Sequence, residues 1–96
     1  MDKKEIIEII QKRKPELTTH YGVRRLGLFG SCVRDEQRRK SDIDILVTFN
    51  RDIDIFDLLD LREYLESRLH AKVDLVMESA LKPATGKRIL AEVEYV

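Results

Sequence analysis

The sequence predicts an α+β fold, in which a small mixed β-sheet is flanked by helices in a single domain over residues 1–96. Two observations lead to this class. Short apolar runs, typical of buried strands, alternate along the chain with segments whose apolar residues recur at helical spacing. In addition, 96 residues with 43% hydrophobic content suffice for one core and leave no room for a second domain.

The first segment, residues 2–21, carries isoleucines and a leucine at helical spacing, which predicts one or two helices. Pro15 has no backbone N–H to donate, so we expect it to break or restart the helix. Gly22 is expected to end the helix. Residues 23–29 then form a short apolar run that stops at Gly30, which predicts a buried strand.

Residues 32–41 are polar and are expected to hold a short helical turn before a second strand at 43–49. Asp54 is expected to cap the following helix. Leucines at three- and four-residue steps give that helix an apolar stripe that should lie against the sheet: Leu58, Leu61, Leu65 and Leu69. A third strand is predicted at 73–77, and Pro83 opens a last helix.

One motif carries the chemistry: Gly30 and Ser31 are separated by ten residues from Asp42 and Asp44, and Asp74 lies on the next predicted strand. Asp42 and Asp44 are two residues apart, so on a strand both side chains leave the same face. Two like charges on one face repel, and a divalent cation that also binds phosphate would offset the repulsion. Together with a Gly-Ser turn able to approach phosphate, this indicates metal-assisted nucleotidyl or phosphoryl transfer.

Each part of the motif also has a structural interpretation. Gly30 and Ser31 alone are typical of an ordinary turn, and an Asp-x-Asp pair in a chain with 38% charged residues is usually two solvated carboxylates. Arg34 is placed by its nearness to Ser31 to neutralise a triphosphate. The later basic residues of the same segment are better explained as a solvated loop. The combination of strand tip and acidic strands favours the functional interpretation.

Composition narrows the classes of function. Eighteen basic and eighteen acidic residues give a formal net charge of zero, which argues against stable nucleic acid binding. The lone Cys32 excludes an internal disulfide, and a reducing cytoplasm is expected. The N-terminus has no long apolar run, so we expect no signal peptide and no membrane span.

At these residues the chain resembles the minimal nucleotidyltransferases of the DNA polymerase β-type superfamily. The similar stretches span nearly the whole chain: Leu28-Phe29-Gly30-Ser31, Arg34, residues 41–47, residues 73–76 and residues 88–92. The resemblance implies an α/β-type nucleotidyltransferase fold. It implies that Asp42 and Asp44 hold two Mg²⁺ ions, that Asp74 completes the catalytic and metal-binding triad, and that Gly30, Ser31 and Arg34 bind the nucleotide, ATP. Asp35 departs from the family, which more often has Gly there.

The resemblance also implies a partner. Many members of the family transfer AMP from ATP to a tyrosine of a HEPN-domain toxin and so act as the antitoxin of a toxin–antitoxin pair, and the resemblance implies the same for this chain. Two alternatives stay open: a nucleotidyltransferase for a small molecule such as an antibiotic, and a non-catalytic antitoxin that neutralises by binding. We expect the partner to bring its own docking surface, since the catalytic layer uses all 96 residues. The sequence leaves open the identity of the acceptor, the nucleotide base that is preferred, the number of nucleotides transferred and the oligomeric state.

Overall fold

The structure is a computed structural model, and it describes residues 2–30 and 42–96. In this part of the chain the elements follow one another as α1 (Lys3–Tyr21), β1 (Val23–Phe29), β2 (Ile43–Phe49), α2 (Ile55–Leu69), β3 (Val73–Met77), a 3₁₀ helix (Glu78–Ala80), α3 (Pro83–Glu92) and β4 (Glu94–Tyr95). The predicted α+β class is confirmed. None of the described helices is long and apolar enough to cross a membrane.

The four described strands form one sheet in the order β3-β2-β1-β4. Strand β1 pairs antiparallel with both β2 and β4, whereas β2 and β3 run parallel. The sheet is therefore mixed, as predicted. Because β1 runs against its neighbours β2 and β4, the C-terminal end of β1 lies beside the start of β2. The parallel pairing of β2 and β3 puts the start of β3 at this same end of the sheet.

The main core lies between one face of the sheet and helices α1 and α2. Ile43, Ile45 and Val47 of β2 point to this face and are at most 1% exposed. From α2, Leu61, Leu65 and Leu69 pack into the same cluster, and Leu58 is half-buried. The predicted packing of this leucine stripe against the sheet is confirmed for Leu61, Leu65 and Leu69.

A second, smaller cluster covers part of the opposite face. Phe29 of β1 and Leu46 of β2 pack against Ile89 of α3, with Val76 and Val93 at the margin. Helix α3 therefore lies across the sheet from α1 and α2. This second face also carries the aspartates of β2 and β3, as described below.

The prediction that Pro15 breaks the first helix is wrong, because α1 runs unbroken through it. Ile10 and Leu17 stand on either side of Pro15 and are both 1% exposed, so both halves of the helix are held on the same core. Pro15 itself is exposed, and its carbonyl accepts a hydrogen bond from the Thr19 hydroxyl at 2.8 Å. Packing thus outweighs the backbone hydrogen bond that proline cannot make.

The predicted helix ends are confirmed at two positions. Gly22 caps α1 with a positive φ of 69°, and its N–H donates to the Leu17 carbonyl. Asp54 caps α2 by accepting from the Asp57 N–H at 2.9 Å, while the Asp57 side chain accepts from the Asp54 N–H at 3.1 Å. This reciprocal pair is a capping box.

Helices α1 and α2 also meet through aromatic side chains. The rings of Tyr21 and Tyr64 lie 5.0 Å apart between centroids, and the Tyr64 hydroxyl donates to the Glu16 carboxylate at 2.6 Å. Burial raises the pKa of Tyr64, and the hydrogen bond to Glu16 raises it further. This contact ties the two helices together on the side of the sheet away from the aspartates.

The prediction from sequence did not include two short elements, the 3₁₀ helix and β4. Strand β4 has only two residues, and its pairing with Gly27 and Leu28 of β1 is what defines it. The turn predicted within residues 32–41 lies outside the described residues.

Candidate active site

Three positions of the predicted motif meet at one end of the sheet, where β1 stops and β2 and β3 begin. Phe29, the last residue of β1, pairs with Asp44 of β2, and Asp44 pairs with Asp74 of β3. Gly30 follows directly after Phe29. The end of one strand and the starts of two others thereby bring Gly30, Asp44 and Asp74 together, although 44 positions separate the first from the last.

Asp44 and Asp74 leave the same face of the sheet. They are register partners on parallel neighbours, and such partners point the same way. The face is the one covered further along by α3, because Leu46, two residues after Asp44, packs on Ile89. Strand alternation predicts a shared face for Asp42 and Asp44, but Asp42 lies before the first residue of β2, so the strand register does not test that pair.

The two aspartates differ in exposure. Asp44 is half-buried in the middle of the sheet, whereas Asp74 is exposed because β3 is an edge strand. Two carboxylates directly opposite each other on neighbouring strands repel. A hard divalent cation would relieve the repulsion and is the ion that such oxygen donors prefer. Their roles as catalytic residues and metal ligands stay predictions.

Gly30 makes the closest backbone approach in the site. Its φ is 69°, in the left-handed region that glycine adopts at little cost. A Cβ built at this position would overlap the Oδ2 atom of Asp44, so the backbone can pack against the carboxylate only if residue 30 has no side chain. Glycine at this position is therefore required twice, by conformation and by space. Ser31 and Arg34, like Asp35, lie outside the described residues.

Asp42 lies just before β2 and is exposed. It borders a groove of about 530 Å³ between the last turns of α2 and the starts of the parallel strands; the other lining residues are Arg62, Glu66, Ala71, Lys72 and Val73. Within residues 2–30 and 42–96, no three His, Cys, Asp or Glu side chains are grouped so that they could hold a metal ion. The complete three-aspartate metal site thus stays a prediction.

Sequence reasoning missed one residue at the site, Glu92. Its carboxylate accepts a hydrogen bond from the backbone N–H of Gly30 at 2.9 Å, across 62 positions of sequence. Glu92 is the last residue of α3 and is half-buried. Its segment is among those that resemble the minimal nucleotidyltransferases, but no spacing rule connects it with Gly30, so only the tertiary structure reveals the contact.

Comparison with known proteins shows the family of the chain. Residues 3–96 match the family model described as "Nucleotidyltransferase domain". Protein adenylyltransferase MntA of Thermococcus cleftensis is 47% identical over 92 residues, which cover 96% of this chain and 93% of that protein. A relative from Methanocaldococcus jannaschii is 43% identical over 93 residues, or 96% of this chain and 95% of its own length.

Solved structures share the fold. One assigned to the minimal nucleotidyltransferases superposes with a TM-score of 0.82 at 33% identity and covers 98% of this chain and 95% of its own. A second, the crystal structure of a toxin–antitoxin with AMP-PNP, has a TM-score of 0.71 at 25% identity, covering 99% of this chain and 72% of that one. AMP-PNP is an ATP analogue, so a chain of this fold occurs in a complex prepared with an adenine nucleotide.

Proposed function

The chain belongs to the nucleotidyltransferase family, and we propose that it transfers AMP from ATP to a hydroxyl group of a partner protein. The observation that carries the proposal is the pairing of Asp44 with Asp74 beside Gly30. The 47% identity to a protein adenylyltransferase, over nearly the whole of both chains, supports a protein as the acceptor.

On the donor side, the turn at Gly30 and Ser31 binds the phosphates of ATP, and Arg34 neutralises part of their charge. The lack of a side chain at Gly30 lets its backbone pack against the Asp44 carboxylate, which keeps the start of this turn beside the proposed metal ligands. Asp42, Asp44 and Asp74 would hold Mg²⁺, because hard carboxylate oxygens suit this ion. Bound Mg²⁺ would supply neutralisation of the charge on the triphosphate and on the departing pyrophosphate.

On the acceptor side, the hydroxyl oxygen attacks the α-phosphorus, the bond to the pyrophosphate oxygen breaks, and the hydroxyl proton leaves to a base. Asp74 is the exposed carboxylate at the open edge of the sheet, where a large acceptor can approach. We therefore assign proton acceptance to Asp74. Asp44 is more buried and packs on Gly30, so we assign it to metal binding on the nucleotide side of the site.

The proposed acceptor is a tyrosine of a HEPN-domain toxin, and the chain would act as its antitoxin. The resemblance of the sequence to the minimal nucleotidyltransferases supports this assignment. So does the similarity of fold to a chain in a toxin–antitoxin complex with AMP-PNP.

The test is transfer of label from α-labelled ATP to a cognate HEPN partner. Asp44→Asn and Asp74→Asn should bind the partner as well as wild type but transfer no label, because each change removes a charge from the site and leaves the buried core untouched. Asp60→Asn is the matched control, since it removes one exposed carboxylate from α2. It should label the partner at the wild-type rate.

Two results would overturn the proposal. If Asp44→Asn relieves toxicity in cells as well as wild type does, neutralisation occurs by binding. If wild type labels a small hydroxyl compound and no protein of its own lysate, the acceptor is a small molecule.

A further inference from the structure

We infer that Glu92 is a positioning residue, which holds the backbone of Gly30 and thereby fixes the turn that binds the phosphates of ATP. The inference rests on the proposed function, because it assigns a residue to that same site. It is carried by the hydrogen bond from the Gly30 N–H to the Glu92 Oε1 atom, 2.9 Å long and partly buried.

The contact uses the one donor that the Gly30 backbone has. While its N–H is bonded to Glu92, Gly30 cannot donate to a phosphate oxygen, so Glu92 acts on the shape of the turn and not on the nucleotide. The other side of Gly30 is equally constrained, because its Cα packs against the Asp44 carboxylate with no room for a Cβ. Gly30 is thus held between two carboxylates, one bonding its N–H and one in contact with its Cα.

Glu92 can hold Gly30 only because its own position is fixed. It ends α3, whose Ile89 is buried against Phe29, the residue before Gly30. One residue after Glu92 the chain enters β4, which pairs with β1. The Val96 N–H then donates to the Leu26 carbonyl at 2.8 Å. The strand that ends in Gly30 therefore also anchors the segment that carries Glu92.

A conservative substitution can separate the hydrogen bond of Glu92 from its charge. Glutamine has nearly the same shape and also offers a carbonyl oxygen as acceptor. If Glu92 acts through its hydrogen bond, Glu92→Gln should preserve the turn and Glu92→Ala should release it. If Glu92 acts through its charge, the two variants should behave alike.

The experiment measures the Kd of AMP-PNP with Mg²⁺ by calorimetry on the full chain, at a temperature where every variant is folded. We expect Glu92→Ala to raise the Kd about tenfold, as loss of a hydrogen bond to a charged acceptor predicts. We expect Glu92→Gln to stay within about threefold of wild type. A merely structural role would lower the Tm of Glu92→Ala without moving its Kd.

Glu94→Ala is the matched control. Glu94 is an exposed carboxylate two residues further along, paired with Lys3 at 3.1 Å, and its loss should leave the Kd unchanged. A Kd for Glu92→Ala equal to that of wild type would overturn the inference and leave the proposed function intact. Equal weakening in both Glu92 variants would also overturn it. Failure of wild type to bind AMP-PNP would overturn both the inference and the proposed function.

Discussion

Substituting alanine for Gly30 tests whether the close approach of β1 to Asp44 matters for chemistry as well as for folding. The chain offers an internal control, because Gly22 has the same φ of 69°. Alanine at either position pays the cost of a left-handed backbone, about 1–2 kcal/mol. For a domain of this size, each kcal/mol of lost unfolding free energy lowers the Tm by about 4–8 °C.

The two glycines differ in what a new methyl group would meet. At Gly22 it would lie 2.9 Å from Nε of Arg51, an exposed side chain that can move aside if it gives up its hydrogen bond to the His20 carbonyl at 3.2 Å. At Gly30 it would overlap the carboxylate of Asp44, which is held on β2 between two paired strands. Gly30→Ala must therefore displace either the turn or the carboxylate.

The assay compares thermal unfolding with label transfer in the two variants. Both should melt lower than wild type. Gly22→Ala should keep its transfer rate once folded, whereas Gly30→Ala should lose about a hundredfold, the cost of misplacing a reacting group by roughly 1 Å. If folded Gly30→Ala transfers label as fast as Gly22→Ala, the packing of Gly30 on Asp44 has no catalytic importance and the reasoning fails.

Three further predictions concern the metal, the core and a helix cap. Without metal, Asp74→Asn should raise the free energy of unfolding by up to about 0.5 kcal/mol, because it removes the cross-strand repulsion. With Mg²⁺ and ATP at one hundred times the Kd, the variant should lack most of the ~2.7 kcal/mol of stabilisation that wild type gains. Equal stabilisation of both proteins in thermal melting would place the metal elsewhere. Leu65 is 2% exposed, so Leu65→Ala should lower the free energy of unfolding in urea by about 2–5 kcal/mol. Leu59 is 36% exposed, so Leu59→Ala should lower it far less. Similar urea midpoints for the two variants would contradict the packing of α2. Asp54→Ala should cost about 1 kcal/mol by removing the capping box, and an unchanged melting curve would refute it.

Local patterns predicted most of the elements because the forces that define them act over short stretches of chain. The leucine stripe of α2 follows from helical periodicity, and the alternation in β2 separates Ile43 and Ile45 from Asp44. Gly22 ends α1 because the left-handed cap conformation favours glycine. These features need no knowledge of where the rest of the chain lies.

The errors and omissions share a different cause, since each depends on tertiary contacts. Pro15 does not break α1 because residues on both sides of it pack on one core. Strand β4 is too short to show a pattern and exists by pairing with β1. Glu92 reaches Gly30 across 62 positions. Sequence spacing cannot supply contacts of this kind.

The mixed topology of the sheet is what makes the site possible. Asp44 is the second residue of β2, and it lies beside the end of β1 because these two strands run antiparallel. Were they parallel, the end of β1 that precedes Gly30 would lie beside Phe49, five residues from Asp44, or about 17 Å at the rise of a strand. Strand β3 must instead run parallel to β2, because only then does its second residue, Asp74, face Asp44 while the whole of β3 pairs with β2. Strand β2 therefore needs one antiparallel and one parallel neighbour, because this combination brings the end of β1, Asp44 and Asp74 to the same end of the sheet.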